Sequence, residues 1–367
     1  MAQSINTFMD MGWSQDGFAA RTARRYWVKS GQDNALHLYE QLIWRKPSVR
    51  RAFRTIMTGL ERGGPFRLRV LKNRKAYWTT LALVLAYDIA THVPLFYSGH
   101  LAHTDDTTSF MLEQVKLLHW KCPEELRPWL GRSNENEMMF GARYRAELEQ
   151  GELGLQSRIC AATAGGRFPF AGYTLRMAHF SEGSKWKGSR SDVTELQMNV
   201  LNSIPAQGPS LVIDESTALG KNNIYYENWD RAWKKKSSPD GLEWGAFFAK
   251  WTEDPDNAYP VPPTYDWGAW PVDDREHEQF LVRYHDLSRE QLYFRRAKIV
   301  RDCNGQLAKF SQDYPLTPEE AFINQELSAF APGTINAMRQ YLLDCEGQYR
   351  CTLRSEHAAG TATVRGW

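Results

Sequence analysis

The segment from Ser210 to Gly220, SLVIDESTALG, constrains the fold more than any other. Leu211, Val212 and Ile213 are consecutive apolar residues, and the run stops abruptly at Asp214 and Glu215 before Ser216, Thr217 and Gly220. A strand buried on both faces reads this way, and such strands belong to parallel sheets covered by helices. Ligands of those sheets bind outside the carboxyl ends of the strands. Two carboxylates followed by two hydroxyls at such an end can hold a hydrated metal, position a water or sense a phosphate. A strand running into a capped turn explains the same residues without any chemistry. The rest of the chain has to decide.

Further strands are expected at Phe66–Leu71, Leu95–His103, Ser157–Thr163, Thr174–Phe180 and Gly245–Trp251. Helices are expected between several of them, over Thr79–Thr91, Asp106–Trp120 and Val193–Ser203. Strands alternating with helices predict an α/β fold with a mostly parallel, doubly wound sheet flanked by helices. Residues 1–60 read as helical, because Leu36, Tyr39, Leu42 and Ile43 recur at three and four. Pro255–Pro271 reads as an ordered loop or hinge, and 286–301 and 317–345 as helices of a smaller lid subdomain. The expected organisation is a basic helical segment (1–60), a core (61–255), a linker and helical lid (256–350) and a flexible tail (351–367).

Residues 1–75 carry 15 Lys or Arg against 5 Asp or Glu, a local balance of +10 within an overall +2. Such a segment is compatible with polyanion contact, although a solvated helix face has the same composition. Cys122, Cys160, Cys303, Cys345 and Cys351 show no CxxC and no His at ligand spacing, as expected of reduced thiols in a cytosolic protein. The start, MAQSINTFMDMGW, has neither a basic region nor an apolar one, and Leu81–Ala90 is too short to span a bilayer. No membrane association is expected.

Three segments carry residues suited to phosphate chemistry. After the first strand of the core comes KNRKAYWTT, Lys72 to Thr80. Lys72, Arg74 and Lys75 can neutralise phosphates, Thr79 or Thr80 can offer a hydroxyl to Mg2+, and the following helix N-terminus favours anions. The turn has no glycine, whereas a phosphate loop closes its backbone amides through glycine. The second segment, Thr174 to Trp186, ends its strand in Ser181 and Glu182. A Glu there can orient or deprotonate an attacking water, and Ser181 can hold a Mg2+-bound water. The third is the strand ending at Glu215.

These motifs, in this order, resemble the ATPase region of the large terminase subunit of tailed bacteriophages. The family pattern K-x-R-Q-x-G-x-S-T is similar to Lys72, Asn73, Arg74, Lys75, Ala76, Tyr77, Trp78, Thr79 and Thr80. The H-x-S-E segment is met by His179, Phe180, Ser181 and Glu182, with Trp186 following. The coupling motif is met by Glu215, Ser216, Thr217, Ala218 and Gly220, then Tyr225, Tyr226 and Trp229. The string F-x-Q-x-Y-P-x-T-P-E-E-A-F is Phe310, Gln312, Tyr314, Pro315, Thr317, Pro318, Glu319, Glu320, Ala321 and Phe322. The resemblance covers about residues 60–330.

The resemblance implies a P-loop-type ATPase that binds ATP and Mg2+ and drives double-stranded DNA into a procapsid. It implies Glu182 as the catalytic residue, Lys72, Arg74, Lys75, Thr79 and Thr80 at the triphosphate, and Thr79 and Ser181 on the metal side. Ser216 and Thr217 would sense the terminal phosphate. A homo-oligomeric ring in the host cytoplasm, transiently on the portal protein and fed by a small terminase subunit, would be the working state. Lys234, Lys235, Lys236, Arg295 and Arg296 are candidates for DNA backbone contacts. Two residues depart from the pattern: Tyr77 stands for the loop glycine and Lys75 for Gln, and a Tyr at that glycine is expected to obstruct the phosphates. Family members continue into an RNase H-like nuclease, and this chain ends about where that would start, so a motor domain without nuclease activity is expected. Two rivals stay open. One is a terminase-like DNA or assembly platform that does not hydrolyse ATP; the other is a helicase-like translocase.

Overall fold

The computed structural model describes residues 7–322 apart from 32, 143–148, 152–153, 166–168, 236–243 and 271. The expected helix beyond residue 322, the tail 351–367, Lys236, Cys345 and Cys351 lie outside the described residues. Cys122, Cys160 and Cys303 are buried and form no disulfide among the described residues. No described helix is long and apolar enough to cross a membrane.

Two compact units are present. The first runs to Asp256 and takes up Lys309–Phe322, and the second comprises Asn257–Ala308 among the described residues. Residues 309–322, which the sequence groups with the lid, therefore belong to the first unit. The reason is packing: Phe322 sits against Tyr226 and Trp229, with ring centroids 4.7 and 5.6 Å away.

Residues 1–60 are only partly helical. Helix α1 (Gln15–Arg24) is capped by the Ser14 side chain. Strands β1 (Trp27–Lys29) and β2 (Leu36–Leu38) then pair antiparallel. The helical spacing at Leu36, Tyr39, Leu42 and Ile43 is thus divided between a strand and the wide turn Glu40–Trp44. Helix α2 (Pro47–Glu61) starts with Pro at its first position and buries Val49, Phe53, Ile56 and Leu60 on one stripe. Each such side chain contributes about 1.5–3 kcal/mol on burial.

The core is one sheet. β3 (Pro65–Lys72), β4 (Tyr97–Ala102), β7 (Ser157–Thr163), β8 (Met177–Ser181), β9 (Ser210–Ser216) and β10 (Gly245–Ala249) run parallel. β5 (Leu130–Ser133) and β6 (Glu137–Phe140) extend it as antiparallel strands, giving the order β10-β3-β9-β8-β4-β7-β6-β5. The α/β, mostly parallel architecture agrees with the sequence reading. β5 and β6 are not expected from sequence, because both are four residues long and β5 is an exposed edge.

Helices cover both faces. α3 (Trp78–Ala90) and α4 (Asp105–Lys121) pack with α2 on one face, against Val70, Met177, Leu211 and Ile213. α5 (Arg190–Leu201) packs on the other face against Phe180 and Val212, and α6 (Ile224–Lys235) covers Leu71 there. α3 is buried all round from Leu81 to Ala90, including Asp88. Asp88 is held by Arg21 at 2.6 Å, by Trp13 Nε1 at 2.6 Å and by the Tyr26 hydroxyl. A buried carboxylate needs such partners.

In the second unit, α7 (Val272–His285) and α8 (Arg289–Arg301) follow a loop rich in Trp and Pro. Tyr259 rests on Phe294 and Tyr265 on Tyr293, with centroids 4.9 and 4.7 Å apart.

Candidate functional site

Alternation along β9 decides where its two carboxylates go. Leu211 and Ile213 enter the core on the α3 face and Val212 enters the opposite one. Successive side chains of a strand point to opposite faces, so Glu215 falls on the α3 face and Asp214 on the other. Asp214 pairs at 2.6 Å with Arg69, which stacks over Trp244. Burial pushes the Asp214 carboxyl up to about 6, with Arg69 opposing the rise. This is an ion pair inside the sheet, turned away from Glu215.

On the α3 face the strands meet in register. Glu215 lies beside Val70 of β3 and Ser181 of β8. β3 ends at Lys72, whose Nζ is 2.8 Å from Glu182 Oε1 and 3.0 Å from Glu215 Oε2. The Thr79 hydroxyl, in the first turn of α3, donates to Glu215 Oε1 at 2.7 Å, and the Ser181 hydroxyl donates to the same oxygen at 2.9 Å. Glu182 Oε2 accepts from the Thr217 hydroxyl at 3.0 Å, from the Thr217 amide at 3.3 Å and from the Ser216 hydroxyl at 3.4 Å. Lys185 adds an ion pair to that oxygen at 2.9 Å. Glu182 itself has φ 54°, in the left-handed region that a non-glycine residue adopts only when its surroundings impose it. The strand therefore turns sharply at Glu182 and directs its carboxylate toward β9.

Burial opposes the charges here, and the pairing outweighs it. For Lys72, burial lowers the pKa, but Glu182 and Glu215 hold it above the usual lysine value. For Glu182, burial raises the pKa, but Lys72 and Lys185 hold it well below the usual carboxylate range. Glu215 is likewise lowered by Lys72 against its burial. The site is an ionised lysine between two ionised carboxylates, rimmed by hydroxyls.

The turn from Asn73 to Tyr77 adopts left-handed backbone at Lys75 (φ 56°) and Tyr77 (φ 59°). Glycine reaches that region without cost, so Tyr77 occupies a position whose backbone suits glycine. Its ring leans on the core and lies under Lys46, whose Nζ is 5.1 Å from the ring centroid. Lys46 is fully buried and is held by Asp254 and Asp256.

Of the residues expected at the site, the structure brings together Lys72, Thr79, Ser181, Glu182, Ser216 and Thr217. Arg74 turns to Asp313 at 3.5 Å, and its amide donates to the Asp313 carbonyl at 2.9 Å. Lys75 reaches the Gly31 carbonyl at 3.3 Å. Thr80, next to Thr79 on α3, makes no hydrogen bond to the cluster among the described residues. Arg295 and Arg296 are buried in ion pairs with Asp274 and Glu278, which leaves no surface for a DNA backbone. Lys234 is exposed and pairs with Asp230 at 2.7 Å. Much of the basic N-terminal charge is also paired internally, as Arg21, Lys46, Arg51 and Arg69 all face carboxylates.

The string from Phe310 to Phe322 has a position that sequence reasoning did not foresee. Gln312 donates to the Ala218 carbonyl at 2.8 Å, while Asp313 accepts from the Arg74 amide. It therefore ties the turn after β3 to the turn after β9. Sequence reasoning also missed a buried pair. His100 on β4 faces His179 on β8 with their Nδ1 atoms 3.1 Å apart, and His179 Nε2 lies 3.4 Å from Glu215 Oε1. The signal was the two-residue spacing of His179 and Ser181 on one face of β8.

Among the described residues no group of three His, Cys, Asp or Glu is placed to hold a metal. Mg2+ does not require one, since it binds through one or two carboxylates, hydroxyls, waters and substrate phosphates. Thr79, Ser181 and Glu215 are hard oxygen donors of that kind within hydrogen-bonding distance of one another, and they fit it.

No protein-family model matches the chain, and no curated protein matches its sequence. Solved structures similar to it include the large terminase ATPase domain of Thermus phage P74-26, at 17% identity over 73% of this chain and 96% of that one, with a TM-score of 0.41. The HK97 bacteriophage large terminase is 15% identical over 81% of this chain and 52% of that one, with a TM-score of 0.49. The large terminase of a further thermophilic bacteriophage is 10% identical over 67% of this chain and 49% of that one, with a TM-score of 0.36. The chain thus spans about half the length of the last two.

Proposed function

We propose that this chain is the ATPase motor domain of a phage large terminase subunit, driving double-stranded DNA into a procapsid. The observation that carries the reading is the convergence of Lys72, Glu182 and Thr217 from three separate motifs onto adjacent carboxyl ends of one parallel sheet. Phosphates bind where a buried cation meets a helix N-terminus, and Lys72 leads into α3 in that manner. Lys72 would hold the phosphates, exchanging at least one carboxylate for phosphate oxygens. Thr79 and Ser181 would lie on the metal side, where Mg2+ supplies neutralisation of charge on the transferred group.

Glu182 would orient and deprotonate the attacking water. Its contacts with Ser216 and Thr217 couple its position to the turn after β9. Gln312, bonded to Ala218 next to Thr217, extends that link to the Phe310–Phe322 segment. A change at the terminal phosphate would move this chain of contacts and so produce a DNA step. Arg74 and Lys75 stay with the turn as outer contributors to its positive charge. A ring at the portal vertex in the host cytoplasm, with a small terminase subunit, is the setting in which such a motor would act.

Steady-state ATP hydrolysis, with and without duplex DNA, tests the reading against Glu182→Gln. DNA-stimulated turnover in the parent chain and none in the variant supports it. Equal turnover in both chains contradicts it. The glycine-free turn with Tyr77 in a left-handed conformation favours one rival, a DNA or assembly platform that does not hydrolyse ATP. No turnover above that of Glu182→Gln under any DNA condition would select that rival.

A further inference from the structure

β8 ends in Ser181 and Glu182, so the residue before the candidate catalytic glutamate offers a hydroxyl and no charge. A Mg2+ site at neutral pH is rarely held by hydroxyls alone, because the ion parts with its waters only for strong anionic oxygen. The neighbouring strand carries that oxygen. Glu215 is fully buried, paired in register with Ser181, and accepts from both the Ser181 and Thr79 hydroxyls on one carboxylate oxygen. No hydrogen bond joins Glu182 to either hydroxyl among the described residues. The two acids are therefore divided: Glu182 faces Thr217 and Lys185, and Glu215 faces Thr79 and Ser181.

A second set of contacts stands behind Glu215. Ser98 Oγ lies 3.3 Å from His100 Nε2, His100 Nδ1 lies 3.1 Å from His179 Nδ1, and His179 Nε2 lies 3.4 Å from Glu215 Oε1. Two facing Nδ1 atoms require one hydrogen between them. With that hydrogen on His100, Ser98 donates to His100 and His100 to His179, which leaves the His179 Nε2–H on the Glu215 side, 3.4 Å from the carboxylate but without hydrogen-bond geometry. The two histidines thus stand behind the carboxylate, where the outer partners of a metal ligand lie.

We propose that Glu215 supplies, from the adjacent strand, the metal-side carboxylate that β8 lacks at Ser181, acting with Thr79 and Ser181 to position Mg2+. Glu215 is a positioning residue for the metal, and Glu182 remains the acid that faces the attacking water. The inference rests on the ATPase reading above.

The test is the affinity for a non-hydrolysable ATP analogue, measured with Mg2+ and again with EDTA. Glu215→Gln is expected to cut the Mg2+-dependent gain, the ratio of the affinity with Mg2+ to that in EDTA, by about 10- to 100-fold, the affinity in EDTA serving as the baseline that absorbs any effect of releasing Lys72. Glu182→Gln is expected to keep the gain. Because Glu215 is buried beside Lys72, the variant's fold is checked by circular dichroism, and Ser181→Asp is added to Glu215→Gln to return a carboxylate to β8. Recovery of the gain in the double variant supports the proposal. An unchanged gain in Glu215→Gln overturns it, and so does a loss that Ser181→Asp cannot recover. A parent chain that binds no analogue in either buffer overturns the ATPase reading, and this inference falls with it.

Discussion

Two clusters of buried opposite charges occupy this molecule, and they are built differently. In the second unit, Glu278 accepts from both Arg295 and Arg296, and Asp274 pairs with Arg295 at 2.8 Å. All four residues lie on two consecutive helices, and Trp267, Trp270 and Tyr265 stand around the Arg296 guanidinium. At the sheet, Lys72, Glu182 and Glu215 come from three strands, and hydroxyls rather than rings complete them. Arginine in a bidentate, ring-covered pair is committed to its partner. A lysine is a point charge that can change partners. Buried charge alone therefore does not mark a site; convergence of separate strand ends, exchangeable cations and spare hydroxyls does.

The sharpest way to break this contrast is Glu182→Gln. If the sheet cluster is chemical, hydrolysis falls by about 10²- to 10⁴-fold, the range for a lost general base, with little change in nucleotide affinity. The counterpart is Glu278→Ala, which takes from the buried Arg296 guanidinium its only carboxylate among the described residues and leaves Arg295 with Asp274. Denaturant unfolding followed by tryptophan fluorescence is expected to show a loss of about 3–5 kcal/mol. A stable Glu278→Ala chain would show that the helical cluster is not structural. Thr217→Ala removes one hydrogen bond to a carboxylate, about 1.5 kcal/mol, and so about tenfold in DNA-stimulated hydrolysis. Nucleotide affinity should move less, as a fluorescent ATP analogue would report. The smallest effect is expected at Tyr77→Gly. Relief of left-handed strain, about 1–2 kcal/mol, opposes the lost packing of the ring, so stability shifts by about 1 kcal/mol or less. Because the ring leans on the core and Lys46, nucleotide affinity should stay within about threefold, roughly half a kcal/mol. A much tighter Tyr77→Gly chain would mean that the ring does obstruct the phosphates.

Continuous apolar runs made the parallel sheet legible: β7 matches its expected span, and β9 and α3 differ only at their ends. β1, β2, β5 and β6 were not legible, since strands of three or four residues carry no periodicity and are fixed by their partners. At the site, the order of motifs singled out Lys72, Glu182 and Thr217. What that order lacked was register. Only the pairing of β9 with β8 and β3 and of β4 with β8, with α3 laid over them, shows that Glu215 meets Ser181 and Thr79, that Asp214 is turned away to Arg69, and that His100 stands behind His179. Arg295 and Arg296 read as surface charge until the acids on the preceding helix are seen against them.

The most direct measurement is a crystal structure of the chain with a non-hydrolysable ATP analogue and Mg2+. Phosphates at Lys72, with its ammonium drawn away from Glu182 or Glu215 and Thr79 beside the metal, are the expected result. Phosphates bound elsewhere, or Lys72 still held by both carboxylates in crystals that contain the nucleotide, would contradict the motor reading at its base.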